Sequence, residues 1–285
     1  MIFVTRFAPS PTGPLHLGHA FSAITAHDMA RAAGGRFLLR IEDIDRARAR
    51  PEWEAAIFED LAWLGLSWDG PVMRQSTRLP AYRAALAHLW DLGLLYPCTC
   101  TRRDILSALD APQEGVTLGP DGPVYPGTCR TVARDGPMPG DAVLRLDMAR
   151  ALRRIGDAVT FIETGVGPDG QSGRITVPQA DLLAGVGDVV LARRDMGTSY
   201  HLAVVTDDAA QGVTHVVRGQ DLFEATAIHR VLQALLDAPA PTYCHHRLIR
   251  DAAGKRLAKR DDARAIRTYR AEGATPADIR RMVGL

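Results

Sequence analysis

Residues 2–19 read Ile2-Phe3-Val4-Thr5-Arg6-Phe7-Ala8-Pro9-Ser10-Pro11-Thr12-Gly13-Pro14-Leu15-His16-Leu17-Gly18-His19. The first six form an apolar and β-branched run, the pattern of a buried strand. A Pro/Gly loop follows over residues 8–14. A helical stretch begins near Leu17, runs to about Ala33, and is stopped by Gly34 and Gly35. A strand that turns through a loop into a helix presents free N–H groups and the positive dipole end to a phosphate. His16 and His19 lie three apart and share a face of the first turn. Gly18 lets a purine or phosphate approach the backbone. Two histidines also cap helices for purely local reasons; the position directly after a first strand favours a nucleotide site.

The neighbouring sequence extends the same pattern. Residues 37–41 read as a second strand, followed at once by Glu42, Asp43 and Asp45. Helices are expected from Pro51 to near Leu64 and from about Pro80 to Leu94. Strand, helix, strand, helix predicts an α/β, Rossmann-type parallel sheet. Residues 111–140 hold six Pro and six Gly, too many for regular elements. The stretch 96–200 therefore reads as an insertion of loops and a few strands. The α/β pattern resumes with a strand over 213–217, a helix over 225–236 and a short strand ending at Leu248-Ile249. A basic loop over 254–260 follows, and then a helix with Thr275 as N-cap and Pro276 at its first position. The expected division is 1–95 and 201–260 for two halves of a catalytic domain, 96–200 for the insertion, and 261–285 for a helical C-terminal segment.

Composition narrows the function classes. The chain has 285 residues, 46% apolar and 24% charged, an ordinary globular balance. It has no apolar run of the length, about 18 residues, that a membrane span needs. The N-terminus lacks a basic n-region, so no signal peptide is expected. Three of the four cysteines fall between Cys98 and Cys129, which points to a metal and a reduced, cytoplasmic compartment rather than a disulfide framework. The net charge of +1 means that a nucleic-acid partner must be held by a local basic patch.

Residues 254–260 carry Lys255, Arg256, Lys259 and Arg260. Such a loop is usually a solvated surface. Opposite a histidine pair, it becomes a device for closing cations over a triphosphate. The blocks Arg6 to Gly13, His16 to His19, Arg40-Ile41-Glu42-Asp43-Ile44-Asp45, Leu66-Ser67-Trp68-Asp69, Tyr200-His201-Leu202-Ala203, Asp207-Asp208, Val217-Arg218-Gly219 and Arg256 to Arg260 together resemble class I aminoacyl-tRNA synthetases, the glutamyl group in particular. The resemblance covers nearly the whole chain. Within the group it favours the short paralogues that lack an anticodon-binding domain and pass glutamate to queuosine in the anticodon of tRNA(Asp).

The resemblance implies roles residue by residue. His16, His19 and Lys259 are the catalytic set, and His16, Gly18, His19, Arg256 and Lys259 hold ATP, which enters with Mg as substrate. Arg6, Phe7, Ala8, Pro9, Ser10, Glu42, Tyr200 and Arg218 line the L-glutamate pocket. The chemistry agrees in type: two arginines can fork onto two carboxylates, and Glu42 can take the ammonium. A structural zinc is implied on Cys98, Cys100, Cys129 and Tyr125, although Cys-x-Cys is tighter than the common spacing. Two departures stand out. The family's Lys-x-Ser-Lys appears here with Arg256 and Ala258 in its first and third places. Val204 fills a position that is Asn in full-length glutamyl enzymes, as expected of the short paralogues.

Asp207-Asp208 read as supporting groups at a strand end, His245-His246 as local packing, and Cys244 as a small apolar residue. Only residues 261–285 follow Arg260, so no anticodon-binding domain is expected there. The tRNA(Asp) anticodon arm would be held by lysines and arginines such as Arg267 and Arg270. Competing readings are a truncated glutamyl-tRNA synthetase that charges a tRNA 3′ end, a non-catalytic RNA-binding paralogue, and a cofactor nucleotidyltransferase. The Arg6 and Glu42 blocks disfavour the last.

Overall fold

The computed structural model describes residues 2–109, 117–132, 134, 136–250 and 264–285. The opening run forms β1 (Val4–Phe7), all four residues buried, and α1 (Leu17–Ala32) carries the chain to β2 (Arg36–Ile41). The two strands are parallel, from Val4 opposite Arg36 to Phe7 opposite Leu39. Gly34 ends the helix at φ +59°, and a Cβ on Gly35 would lie 2.2 Å from the Phe3 carbonyl oxygen, so the return to the sheet requires glycine. After α2 (Pro51–Trp63), β3 (Met73–Arg74) adds in parallel to the far side of β2, and α3 (Leu79–Asp91) follows.

The middle of the chain is more regular than its Pro/Gly content predicts. It contains β4 (Leu95–Cys98), α4 (Arg102–Leu109), β5 (Leu118–Gly119), β6 (Gly122–Pro123), β7 (Val143–Leu146), α5 (Met148–Ile155), β8 (Ala158–Glu163), β9 (Gly173–Pro178), α6 (Gln179–Gly185) and β10 (Val190–Ala192). An antiparallel sheet runs in the order β10-β7-β4. Its Leu144, Leu146 and Leu191 pack in one cluster with Leu202, Ile228 and Leu232 from later helices, so these strands share the main core.

The chain then forms α7 (Tyr200–Ala210), β11 (His215–Gly219), α8 (Ala225–Leu235), β12 (Thr242–His246), α9 (Ile266–Ala271) and α10 (Pro276–Val283). A further sheet runs β11-β12-β8-β9, parallel except at β9. β1 runs beside β11: the Thr214 N–H donates to the Val4 carbonyl at 2.9 Å, and its hydroxyl accepts the Val4 N–H at 2.8 Å. Strand order therefore reverses between β1 and β11, the switch point where α/β folds bind ligands.

Two local expectations are corrected. Asp207 and Asp208 lie in helix α7, not at a strand end, because the preceding Leu-Ala-Val-Val run is a buried helix face. His245 and His246 belong to β12 itself, which ends before Leu248. Thr275 caps α10 as expected, in a reciprocal pair with Asp278. Among the described residues no helix is long and apolar enough to cross a membrane.

Asp60, on the buried face of α2, is 2% exposed, and its Oδ2 has no partner among the described residues. Burial pushes its carboxyl up to about 6, against the pull of Arg270. A carboxyl whose pKa rises on folding stabilises the fold fully below its unfolded value near 4, and that contribution is lost as pH rises through 6. Asp60→Asn is therefore expected to raise Tm at pH 7.5 by several degrees, roughly 4 °C or more, and to change it little at pH 4. Equal shifts at both pH values in thermal unfolding would contradict this.

Candidate active site

A cleft of about 770 Å³ opens at the β1/β11 switch point and is lined by residues from both halves of the chain. Phe7, Ala8, Pro9 and Ser10 form one wall, and the Glu42 N–H donates to the Pro9 carbonyl at 3.0 Å, holding the loop to the end of β2.

His16 is the N-cap of α1. Its Nδ1 accepts the Gly18 N–H at 3.1 Å, and the His19 Nδ1 accepts the His16 N–H at 3.1 Å, so the two imidazoles form a reciprocal capping box. Their ring centroids are 3.8 Å apart. A Cβ at position 18 would come within 3.0 Å of the His16 ring, so Gly18 makes room for this protein's own histidine. The local capping explanation and the ligand-facing one are compatible: both rings line the cleft. Downstream, Ala265 pairs with His16 in an isolated bridge, and the Ile266 N–H donates to the Leu15 carbonyl at 2.8 Å. Arg256 and Lys259, with the rest of the basic loop, lie outside the described residues.

Arg6, on β1, is 4% exposed and donates to both oxygens of Asp208, at 2.9 and 3.3 Å. The same carboxylate accepts from Arg40 at 2.6 Å, and Arg40 also reaches Glu42 at 3.2 Å and Gln211 at 3.0 Å. Burial alone would raise the Asp208 carboxyl, but Arg6 and Arg40 outweigh it and hold the carboxyl below its ordinary value. Glu42 goes the other way: burial pushes it up against Arg40 and Arg6, so an incoming ammonium would favour its ionised form. Arg6 makes its pair with the distant Asp208 rather than with Glu42 or Asp43. Asp43 accepts instead from the Ser76 N–H and hydroxyl, at 2.8 and 2.6 Å. Asp207 is engaged elsewhere, by Gln75, Arg78 and Tyr82.

Arg218, on β11, is 5% exposed and differs in kind. It donates to His245 Nε2 at 3.0 Å, His229 Nδ1 at 3.1 Å, Thr226 Oγ1 at 2.7 Å and the Leu222 carbonyl at 3.0 Å. Every one of these acceptors is neutral when the imidazoles are. Burial, then the Arg218 charge, keep His229 well below the ordinary imidazole range, and burial lowers His245 despite Glu163 beside it. Tyr200, the first residue of α7, lies on the cleft wall with its ring 5.7 Å from that of His229.

Sequence reading quoted Arg40 and His245 without tying either to the cleft, and did not single out His229 or Glu163. Arg40 had a visible signal, a cation in the apolar run Phe37-Leu38-Leu39-Arg40-Ile41. His229 sits on the buried face of α8 and had none.

Cys98, Cys100 and Cys129 converge, with their sulfurs all within 4.8 Å of one another. The Tyr125 hydroxyl stands 3.5 Å from the Cys98 and 3.3 Å from the Cys100 sulfur, and Cys100 and Cys129 sulfurs are 3.5 Å apart. Edges of this size match a tetrahedral set around one ion with metal–sulfur bonds near 2.3 Å. All four are free thiols or a phenol, and Cys244 lies apart in another cluster. Arg270 pairs with Glu59 at 3.6 Å, and the Arg267 guanidinium lies 5.1 Å over the Trp53 ring.

Comparison with known proteins agrees with this geometry. The family model for tRNA synthetases class I (E and Q), catalytic domain, matches residues 3–285, and the chain belongs to that family, as a class I synthetase-like ligase. Relatives similar to this chain include glutamyl-Q tRNA(Asp) synthetases. The one from Rhodobacter capsulatus is 66% identical, covering 99% of this chain and all of its own. That of Thiobacillus denitrificans is 44% identical over 92% of this chain and 79% of its own. Among solved structures, a glutamate tRNA ligase from Elizabethkingia meningosepticum in complex with its amino acid superposes with TM-score 0.76 at 25% identity. The match covers the whole of this chain and 61% of that one. The methionyl-tRNA synthetase of Mycobacterium tuberculosis, at 11% identity and TM-score 0.60, shares the fold.

The two arginines sharing Asp208 set up a stability test. Removing that carboxylate leaves two buried guanidinium groups short of counter-charge, a loss of roughly 3–5 kcal/mol. Asp208→Ala is expected to lower Tm by about 10 °C; thermal unfolding within about 2 °C of the unaltered chain would show the cluster to be marginal.

Proposed function

We propose that the chain activates L-glutamate with ATP and Mg to glutamyl-adenylate without tRNA, and passes the glutamate to queuosine in the anticodon of tRNA(Asp). The observation that carries the reading is the buried Arg218, whose acceptors among the described residues are all neutral and which lines the same cleft as the His16/His19 helix end. A guanidinium in that state attracts a carboxylate. Arg6, already matched by Asp208, completes the wall for the second one, Glu42 takes the ammonium, and Tyr200 donates its hydroxyl. His16, Gly18 and His19 face the phosphates, where donors at a helix end favour the charge that grows as the carboxylate attacks the α-phosphorus. Lys259 and Arg256 supply cations to the leaving pyrophosphate. The names of the glutamyl-Q tRNA(Asp) synthetase relatives support queuosine as acceptor; its ring hydroxyl attacks the activated carboxyl and releases AMP. The anticodon arm is held by exposed cations such as Arg267, and the reaction belongs in the cytoplasm with its substrates.

The test is glutamate-dependent ATP–pyrophosphate exchange without tRNA, followed by transfer of labelled glutamate to an anticodon stem-loop of tRNA(Asp) that contains queuosine. Both are expected. Glutamine should be discriminated against on the order of a hundredfold or more, because its amide leaves an arginine charge unmatched. Exchange only on adding tRNA, with charging of a tRNA(Glu) transcript and none of tRNA(Asp), would favour a glutamyl-tRNA synthetase instead.

Cys98, Cys100, Cys129 and Tyr125 are proposed to hold one structural zinc, which would supply closed coordination and no open position for chemistry. Chelation is then expected to lower Tm, with zinc restoring it. A chelated protein that unfolds like the untreated one would refute the metal.

A further inference from the structure

The arginine that makes the cleft receptive to a carboxylate is itself held by a chain of rings. Asp121, in the turn between β5 and β6, accepts from His201 Nε2 at 2.9 Å; His201 Nδ1 meets His229 Nε2 at 3.0 Å; His229 Nδ1 meets Arg218 Nη1 at 3.1 Å. On the other side, Glu163 meets His245 Nδ1 at 2.5 Å, and His245 Nε2 meets Arg218 Nε at 3.0 Å.

The chemistry of the ends fixes every proton between them. A carboxylate only accepts and a guanidinium only donates. His201 must therefore carry its proton on Nε2, toward Asp121, and accept on Nδ1. His229 must donate from Nε2 and accept from Arg218 on Nδ1. His245 must donate from Nδ1 to Glu163 and accept on Nε2. Each ring has one consistent tautomer, and neither ring that touches Arg218 can be an imidazolium and still accept from it. Two of the five N–H bonds of Arg218 are thus satisfied by neutral rings, while the matching negative charges stand one ring away at Glu163 and two rings away at Asp121. Direct carboxylate partners would have neutralised the guanidinium, as Asp208 does for Arg6. The relay satisfies the donors and leaves the charge for a ligand.

We propose that His229, oriented by His201 and Asp121, is a positioning residue that aims Arg218 and keeps it ionically free, and so sets the affinity for the substrate carboxylate. This rests on the glutamate reading of the cleft. His229 touches no substrate atom in this scheme, so its loss should act on glutamate binding and spare the nucleotide end.

The experiment measures KM for glutamate, KM for ATP and kcat in ATP–pyrophosphate exchange on the full chain. His229→Leu removes the acceptor and is expected to raise KM for glutamate about tenfold or more, with KM for ATP and kcat changed less than about threefold. His229→Gln keeps one acceptor for Arg218 and one donor for His201, and is expected to bring KM for glutamate back to within about threefold of the unaltered chain. Asp121→Leu, at a half-exposed position, should shift KM for glutamate in the same direction by less, and it carries the test if His229→Leu shows no cooperative unfolding transition. An unchanged KM for glutamate in His229→Leu, or a Gln variant as impaired as the Leu variant, overturns the positioning role while leaving the glutamate reading intact. Absence of glutamate-dependent exchange in the unaltered chain overturns that reading and this role together.

Discussion

One carboxylate ties the chain's two halves together. Asp208, on α7, lies 2.9 Å from Arg6 of β1 and 2.6 Å from Arg40 of β2, across 202 and 168 residues of sequence. None of the three is more than 6% exposed. Buried charges are tolerated only when matched, so the helix has one workable seating over the sheet. That seating puts Tyr200, eight residues earlier on the same helix, at the cleft wall and sets His201 against His229. The reversal of strand order between β1 and β11 creates the cleft; Asp208 fixes what lines it.

Two of the arginines that line the cleft differ in electrostatic character. Arg6 is matched before any ligand arrives. Arg218 is bonded but not neutralised, because its partners are imidazoles, a hydroxyl and a carbonyl. Leaving a buried guanidinium in that state destabilises the unliganded fold, and the same term becomes favourable when a carboxylate enters. Strain of this sort concentrates at functional sites. It separates the two arginines by the charge of their partners, which residue type alone does not do.

The sheet, its first helix and the C-terminal helix α10 were legible because their signals are local: an apolar run, a double glycine stop and, for α10, a Thr-Pro cap. The convergence of Cys98, Cys100 and Cys129 was legible from the clustering of three of the four cysteines and from the family resemblance, although the Cys-x-Cys spacing is tight. What failed to show were partners far apart in sequence. Arg40 is visible as an odd cation in an apolar strand, yet nothing near it names Asp208. His245-His246 looked like packing because a histidine pair carries no signature of the Glu163 behind it. Asp207-Asp208 were misplaced at a strand end because a short apolar run reads equally as strand or buried helix. Within the described part of 111–140 two short strands, β5 and β6, form, and the Pro/Gly count misled for the flanks, where β4, β7 and β10 join the main core.

That flanking packing changes what the insertion does. The β5–β6 hairpin places Asp121 in its turn, against His201, and Tyr125 just beyond it, among the three thiols. Tyr125 is also bridged to Gly187, and its hydroxyl accepts the Cys129 N–H at 2.9 Å. A two-stranded hairpin with two-residue strands has almost no stability of its own. Its position must be set from outside, by the thiol–phenol cluster at one end and by the histidine at the other. The short hairpin therefore acts as a spacer that delivers one carboxylate to the back of the Arg218 relay. The Pro/Gly-rich segment thus adds a carboxylate to a pocket whose other lining includes the parallel strands and their loops, α7 and residues 190–196.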